Sequence, residues 1–218
     1  WLSVTTNNGK LPDFIVGSNF EIMEYCPNKN YTSAMLCETG AIAMSHESKP
    51  EMGLHIVLPG NTLGLLRGEG HKDKDICEYF KADNHSRVDV AVTAKNLNRY
   101  AEHLTPYRIA KMADSGQMKS RLKPDNGVVS PSQKLETAYI GSRVSRNRLF
   151  RAYDKGIELG LIADTIIRYE LQTNKNASGV VRAVSDGLDI GGIIRRYVDF
   201  PECADWIKIM DSTSVEMP

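Results

Sequence analysis

Arg87-Val88-Asp89-Val90-Ala91-Val92 alternates at every step, with three valines on one side and Arg87 and Asp89 on the other. Successive side chains of an extended chain point to opposite faces, so this stretch reads as a strand with one apolar and one polar face. Three further stretches follow the same rule. In Ile166-Ile167-Arg168-Tyr169-Glu170-Leu171-Gln172, the residues Arg168, Glu170 and Gln172 project together, opposite Ile167, Tyr169 and Leu171. In Leu149-Phe150-Arg151-Ala152-Tyr153, Arg151 and Tyr153 share a face opposite Phe150 and Ala152. In Leu54-His55-Ile56-Val57-Leu58, His55 stands opposite Leu54, Ile56 and Leu58.

Working outward, residues 1–6 and Leu135–Ile140 also read as strands, and residues 33–46 as a hairpin around Glu38-Thr39-Gly40. Pro59-Gly60 reads as the end of the strand before it. Helical patterns fall at Asp75–Ala82, from Asn96 to about Met118 with Pro106 inside, at Val180–Asp186 and at Ile190–Val198. Ile157–Ile162 is ambiguous between a helical turn and an insertion. Lys123–Gln133, with Pro124, Asp125-Asn126-Gly127 and Pro131, reads as a loop. This order predicts an α+β fold: a mainly antiparallel sheet of the RRM-like kind, with helices on the valine face. A length of 218 residues predicts a single domain, 1–218, whose part from about 175 to 218 is helical. The sequence opens on a strand without a methionine, so it reads as part of a longer protein.

Hydrophobic residues make up 41% and charged residues 25% of the chain, the composition of an ordinary globular protein, and no apolar run is long enough for a membrane span. Cys26, Cys37, Cys77 and Cys203 lack metal-ligand spacing and predict buried free thiols in a reducing, cytoplasmic setting. Lys and Arg total 27 and so do Asp and Glu, so any affinity for nucleic acid must be local. The candidate strip is Arg143–Lys155, with Arg143, Arg146, Arg148, Arg151 and Lys155 against the single acid Asp154. Such a strip neutralises phosphates; runs of this kind are also common as solvated faces.

If the four alternating strands adjoin, their polar faces gather His55, Asp89, Glu170 and Tyr153. Two carboxylates and an imidazole suit a hard or borderline divalent cation such as Mg²⁺ or Mn²⁺. The same alternation describes a sheet with one solvated face and cross-strand charge pairs.

Three ordered motifs separate these readings. Tyr139-Ile140-Gly141-Ser142-Arg143 with Ser145, then Arg151-Ala152-Tyr153-Asp154-Lys155 and Glu158, resembles the core signature of the replication initiation factor family (Rep_trans). Upstream, Arg87-Val88-Asp89-Val90-Ala91 matches the family's R-x-D-x-A strand, and downstream Arg168-Tyr169-Glu170-Leu171 matches its R-x-E strand. The resemblance runs from Trp1-Leu2-Ser3 to about residue 175. It departs at His55-Ile56-Val57, where many members have His-x-Glu, and at Thr93 and Ala94, where many carry acids.

The resemblance implies an HUH-endonuclease-like fold and a rolling-circle initiator that nicks single-stranded or hairpin origin DNA, with a host helicase and polymerase as further partners. It implies Tyr153 as the nucleophile, Lys155 and Arg151 beside it as phenolate-stabilising cations, and Asp89 and Glu170, with His55, as ligands of a divalent metal. Arg143, Arg146, Arg148 and Arg151 are the implied DNA contacts. Glu158 is either a proton-transfer group for the terminating step or a surface acid paired with a base. Tyr139 is the rival nucleophile, and Gln172 or water would complete a leaner metal set. Two other classes stay open: a non-catalytic RRM-like binder of single strands and a metal-dependent hydrolase that attacks with water. The binder needs stacking aromatics, and aromatics total only 7%.

Overall fold

A computed structural model of the chain describes residues 1–6, 9–16, 19–95, 104–122, 128–132, 135–142, 147–161, 165–174 and 176–212. The chain forms two compact units, Trp1–Val88 with Asn174–Gly187 and Asp89–Thr173 with Leu188–Pro218. The passage from one to the other falls inside a strand. Asn174–Gly187 thus belongs to the first unit, and the stretch from Leu188 onward to the second.

The first unit contains β1 (Leu2–Thr6), α1 (Asp13–Val16), β2 (Phe20–Ile22), β3 (Ser33–Cys37), β4 (Ile42–Ser45), a 3₁₀ turn (Pro50–Met52), β5 (Leu54–Leu58), α2 (Gly60–Gly68), α3 (Asp73–Tyr79) and the start of β6 (Asn84–Lys95). Its strands lie in the order β2-β3-β4-β5-β1-β6. β3 and β4 form the expected hairpin, with Ser33 opposite Ser45. β1 sits between β5 and β6, antiparallel to both, with Thr5 opposite His55 and Ser3 opposite Arg87. Val4, Ile56, Leu58, Leu66 and Phe80 are fully buried, a core driven by the removal of apolar surface from water. Pro59-Gly60 does more than end β5. Pro59 is the extended residue from which α2 begins, and Thr62, Leu63 and Leu66 bury one side of that helix. A further helix of the unit, Ala177–Ser185, buries Val180, Val181 and Val184 and lies against α3, where the Ser185 hydroxyl meets Glu78 and Lys81 pairs with Asp186.

The second unit has the remainder of β6, α4 (Pro106–Asp114), β7 (Lys119–Ser120), β8 (Val128–Ser132), β9 (Leu135–Gly141), β10 (Arg148–Asp154), α5 (Lys155–Glu158) and β11 (Ile166–Thr173). The helix Ala177–Ser185 is α6, and α7 (Ile190–Arg195), β12 (Val198–Asp199) and α8 (Ala204–Asp211) complete the chain. The strand order is β6-β11-β10-β9-β8, with β12 and β7 as a separate pair. β10 is antiparallel to both β11 and β9.

Trp206 of α8 is fully buried on the apolar side of this sheet. Phe150, Tyr169 and Phe200 meet its indole edge-on at 6.0, 5.6 and 5.1 Å, an arrangement that aligns ring edges with ring faces. The Tyr169 hydroxyl donates to the Leu104 carbonyl at 2.9 Å, and Trp206 Nε1 donates to Asp199 at 3.0 Å, so no polar atom of these rings is left unsatisfied. α7 meets α8 at Gly191, where a Cβ would stand 1.8 Å from the Met210 carbonyl oxygen.

Two expectations differ from the outcome here. Val128–Ser132, inside the stretch read as a loop, is a strand. It ends the strand order, and proline is tolerated in an edge strand, where one side of the backbone has no ladder to join. The long helix expected from Asn96 is realised within Pro106–Asp114, opened by a Thr105 hydroxyl that accepts from the Arg108 N–H; residues 96–103 lie outside the described ones. The expected α+β architecture, an antiparallel sheet with helices on its apolar side, is the one observed. All four cysteines are free thiols, and among the described residues no helix is long and apolar enough to cross a membrane.

Candidate active site

The register of β10 against β11 sets Arg151 opposite Glu170 and Tyr153 opposite Arg168. Neither pairing is written in either strand alone; both follow from one alignment of the two. β6 lies next to β11 and brings Asp89 to the same group. Tyr153 Oη donates to Glu170 Oε2 at 3.0 Å. Arg151 Nη2 donates to Glu170 Oε1 and stands 4.0 Å from Asp89 Oδ2. One guanidinium nitrogen therefore faces both carboxylates, and the Asp89 carboxyl is within hydrogen-bonding reach of Glu170. Glu170 is 6% exposed and Tyr153 9%, so these contacts are shielded from water.

The electrostatics are decided by this arrangement. Burial pushes the Tyr153 phenol well above its ordinary value, the Glu170 charge adds to that, and Arg168 pulls the other way. Burial alone would raise Glu170 too, but the hydrogen bond and charge of Arg151 outweigh it and hold the carboxyl below the usual range. The pair is thus a protonated phenol donating to an ionised carboxylate. Arg151 Nε is buried without a hydrogen-bond partner among the described residues, a donor left open beside the Tyr153 ring, whose centroid is 5.7 Å from Cζ.

The other expected residues stand outside the hydrogen-bonded group, although the Glu158 charge still reaches the Tyr153 phenol and raises it after burial and Glu170. Lys155 is not on the strand face with Tyr153: β10 ends at Asp154, whose carboxylate caps α5 by accepting from the Ile157 N–H at 3.1 Å. In that turn Lys155 pairs with the half-exposed Glu158, so each answers the other's charge. Arg148 sets its guanidinium 5.5 Å from the Tyr197 ring centroid. Arg143, Arg146 and Ser145 lie outside the described residues.

His55 belongs to the first unit, where both ring nitrogens are taken: Nε2 by Ser3 Oγ at 3.0 Å and Nδ1 by Thr5 Oγ1 at 2.8 Å. Among the described residues no three His, Cys, Asp or Glu side chains gather as a metal centre. The acid pair Asp89–Glu170 still fits one divalent ion, because both carboxylates already converge on a single cationic nitrogen. Mg²⁺ is commonly held by one or two carboxylates completed by phosphate oxygens and water.

One residue went unassigned in the sequence. Arg168 lies opposite Tyr153 and donates from Nε to Thr93 Oγ1 at 3.1 Å, which fixes a cation beside the phenol. Its place on the Glu170 face of β11 was the signal; only the register connects it to Tyr153.

No family model matches the chain, and no curated protein matches it in sequence. Among solved structures, a rolling circle replication initiator protein from Geobacillus stearothermophilus superposes with a TM-score of 0.74 over 98% of this chain and 94% of that one, at 17% identity. At that identity the likeness establishes a shared fold.

Proposed function

We propose that this chain is a rolling-circle replication initiator that nicks single-stranded or hairpin origin DNA and becomes joined to it through Tyr153. The observation that carries the reading is the Tyr153 hydroxyl donating to an ionised, buried Glu170, on a fold shared with an initiator of that class. Burial and the Glu170 charge hold this phenol above its ordinary range, so attack requires a base in direct contact and cations that offset the phenolate charge as it forms. Glu170 Oε2 takes that proton. Oη then bonds to phosphorus, the bond from phosphorus to the 3′-oxygen breaks, and the departing oxygen draws a proton from solvent. The products are a 5′-phosphotyrosyl linkage and a free 3′-hydroxyl, and the conserved phosphodiester energy lets the same site rejoin ends.

Arg168 offsets the charge that develops on the phenol oxygen. Asp89 and the Oε1 side of Glu170 would hold Mg²⁺ or Mn²⁺, with Arg151 yielding its place. When bound, such an ion supplies further positive charge at the scissile phosphate. Arg148, with Arg143 and Arg146, carries the phosphates of the strand. The 3′-hydroxyl product suits a host polymerase, with a helicase to open the duplex ahead of it.

The test is covalent trapping. Single-stranded oligonucleotides with Mn²⁺ should yield an SDS-resistant adduct with the wild-type chain, lost completely in Tyr153→Phe while DNA binding persists. Binding without any adduct would leave a single-strand binder of RRM-like design, cleavage without an adduct would indicate attack by water, and an adduct in Tyr153→Phe would move the nucleophile to Tyr139.

A further inference from the structure

The first unit holds a cleft of about 710 Å³ that the chemistry at Tyr153 does not use. Three cations, Lys29, Lys49 and Arg87, line it, and no carboxylate does. In a chain whose positive and negative side chains balance at 27 each, that is a local surplus aimed at an anion. The same walls present flat rings. Tyr31 stacks on His55 with centroids 5.3 Å apart and planes 18° from parallel, and the Arg87 guanidinium lies 5.0 Å over the Trp1 ring. His55 is locked beneath Tyr31 by Ser3 and Thr5, and Ser3 Oγ is held in turn by Ser86 Oγ at 2.8 Å. The platform is therefore pre-ordered, and ordering it costs nothing further when a ligand arrives. His46 also lines the cleft, and its Nδ1 is buried with no hydrogen-bond partner among the described residues. That leaves a polar group in want of a partner.

Rigid ring faces and a cationic rim match a nucleotide: a base to stack and a phosphate to neutralise. The volume lies within the range of sites that enclose small ligands of that size. We infer that this cleft binds one nucleotide, its base stacked on Tyr31 and its phosphate on Lys29 and Lys49. A nucleotide of the DNA strand and a free mononucleotide offer the same chemistry. The inference deepens, and rests on, the reading that the chain handles single-stranded DNA, and it places part of strand recognition outside the residues that react.

The experiment measures binding of a labelled single-stranded oligonucleotide by fluorescence anisotropy, with the adduct assay run on the same preparations. Tyr31→Ala and the double variant Lys29→Ala/Lys49→Ala should each weaken binding by roughly five- to a hundredfold. Tyr31→Phe should restore it, and Tyr153→Phe should bind like wild type. Lys29 is exposed, so the lysine variant tests the cleft even if Tyr31→Ala unfolds. Competition by deoxyadenosine monophosphate that Tyr31→Ala abolishes would assign the cleft to a free nucleotide as well as a strand; oligonucleotide binding insensitive to the mononucleotide would assign it to the strand alone. Unchanged affinity in both the Tyr31→Ala and the lysine variants overturns the inference, whatever the adduct assay gives. Weakened binding in those variants with no adduct in wild type would retain the cleft and remove the nicking reading.

Discussion

At the scale of single residues, the site turns on how Glu170 is kept ionised. Arg151 supplies the cation, and without it two carboxylates, Asp89 and Glu170, would face each other in a buried place. Because the folded-state value of Glu170 is depressed, the group adds stability above the ordinary carboxylate pKa of ~4.3, and that stability is lost as pH falls through the lower folded value. Arg151→Ala should therefore be less stable than wild type at pH 7 by about 1–3 kcal/mol. The gap should narrow on acidification below pH ~4, where wild type loses the same contribution. Urea melts at the two pH values check this; a gap that stays constant would mean that Arg151 acts through packing. Asp89, Glu170 and Tyr153 were all legible in the sequence as polar members of alternating strands. Arg168 as the cross-strand neighbour of Tyr153 and Glu170 as the acceptor of its hydrogen bond were not, since alternation fixes the face of a side chain and says nothing about which residue lies across from it.

At the scale of elements, β9 and β10 show how closely local backbone and site are tied. Gly141 sits at the end of β9 with φ +102°, and a Cβ there would come 2.9 Å from the Arg148 carbonyl oxygen at the start of β10. Both facts require glycine: the positive φ strains any other residue, and the neighbouring backbone cannot yield cheaply. Gly141→Ala should cost about 1–3 kcal/mol, read as a lowered thermal midpoint. A cost near zero would show that the β9–β10 link relaxes freely. The elements that the sequence hid share a cause. Pro131 and Pro59-Gly60 are breaker signals in any single strand or helix, and they lose that meaning at a sheet edge or at the residue that opens a helix.

At the scale of the whole molecule, charge balance constrains the proposed DNA contact. With 27 basic and 27 acidic side chains there is no global attraction to a polyanion, so affinity must come from a few local contacts. Binding to single-stranded DNA should then weaken with salt along a shallow log–log slope, losing ~0.7 for each phosphate contact removed. Replacing Arg143 and Arg146 together by Ala should flatten that slope by about 1.4. An unchanged slope in a salt titration would remove both residues from the interface.

The sequence alone determined the two-faced strands, the α+β class and the chemical types on the polar face, because all of these follow from the period of side chains along one chain. Tertiary structure decided the rest: which residues face one another across β10 and β11, that Lys155 opens a helix and pairs with Glu158, that the C-terminal helices divide between two units, and that Tyr31, His55 and Arg87 meet around a cleft. These depend on contacts between segments far apart in the chain, where register and burial are settled by the total apolar surface removed from water and leave no local signature.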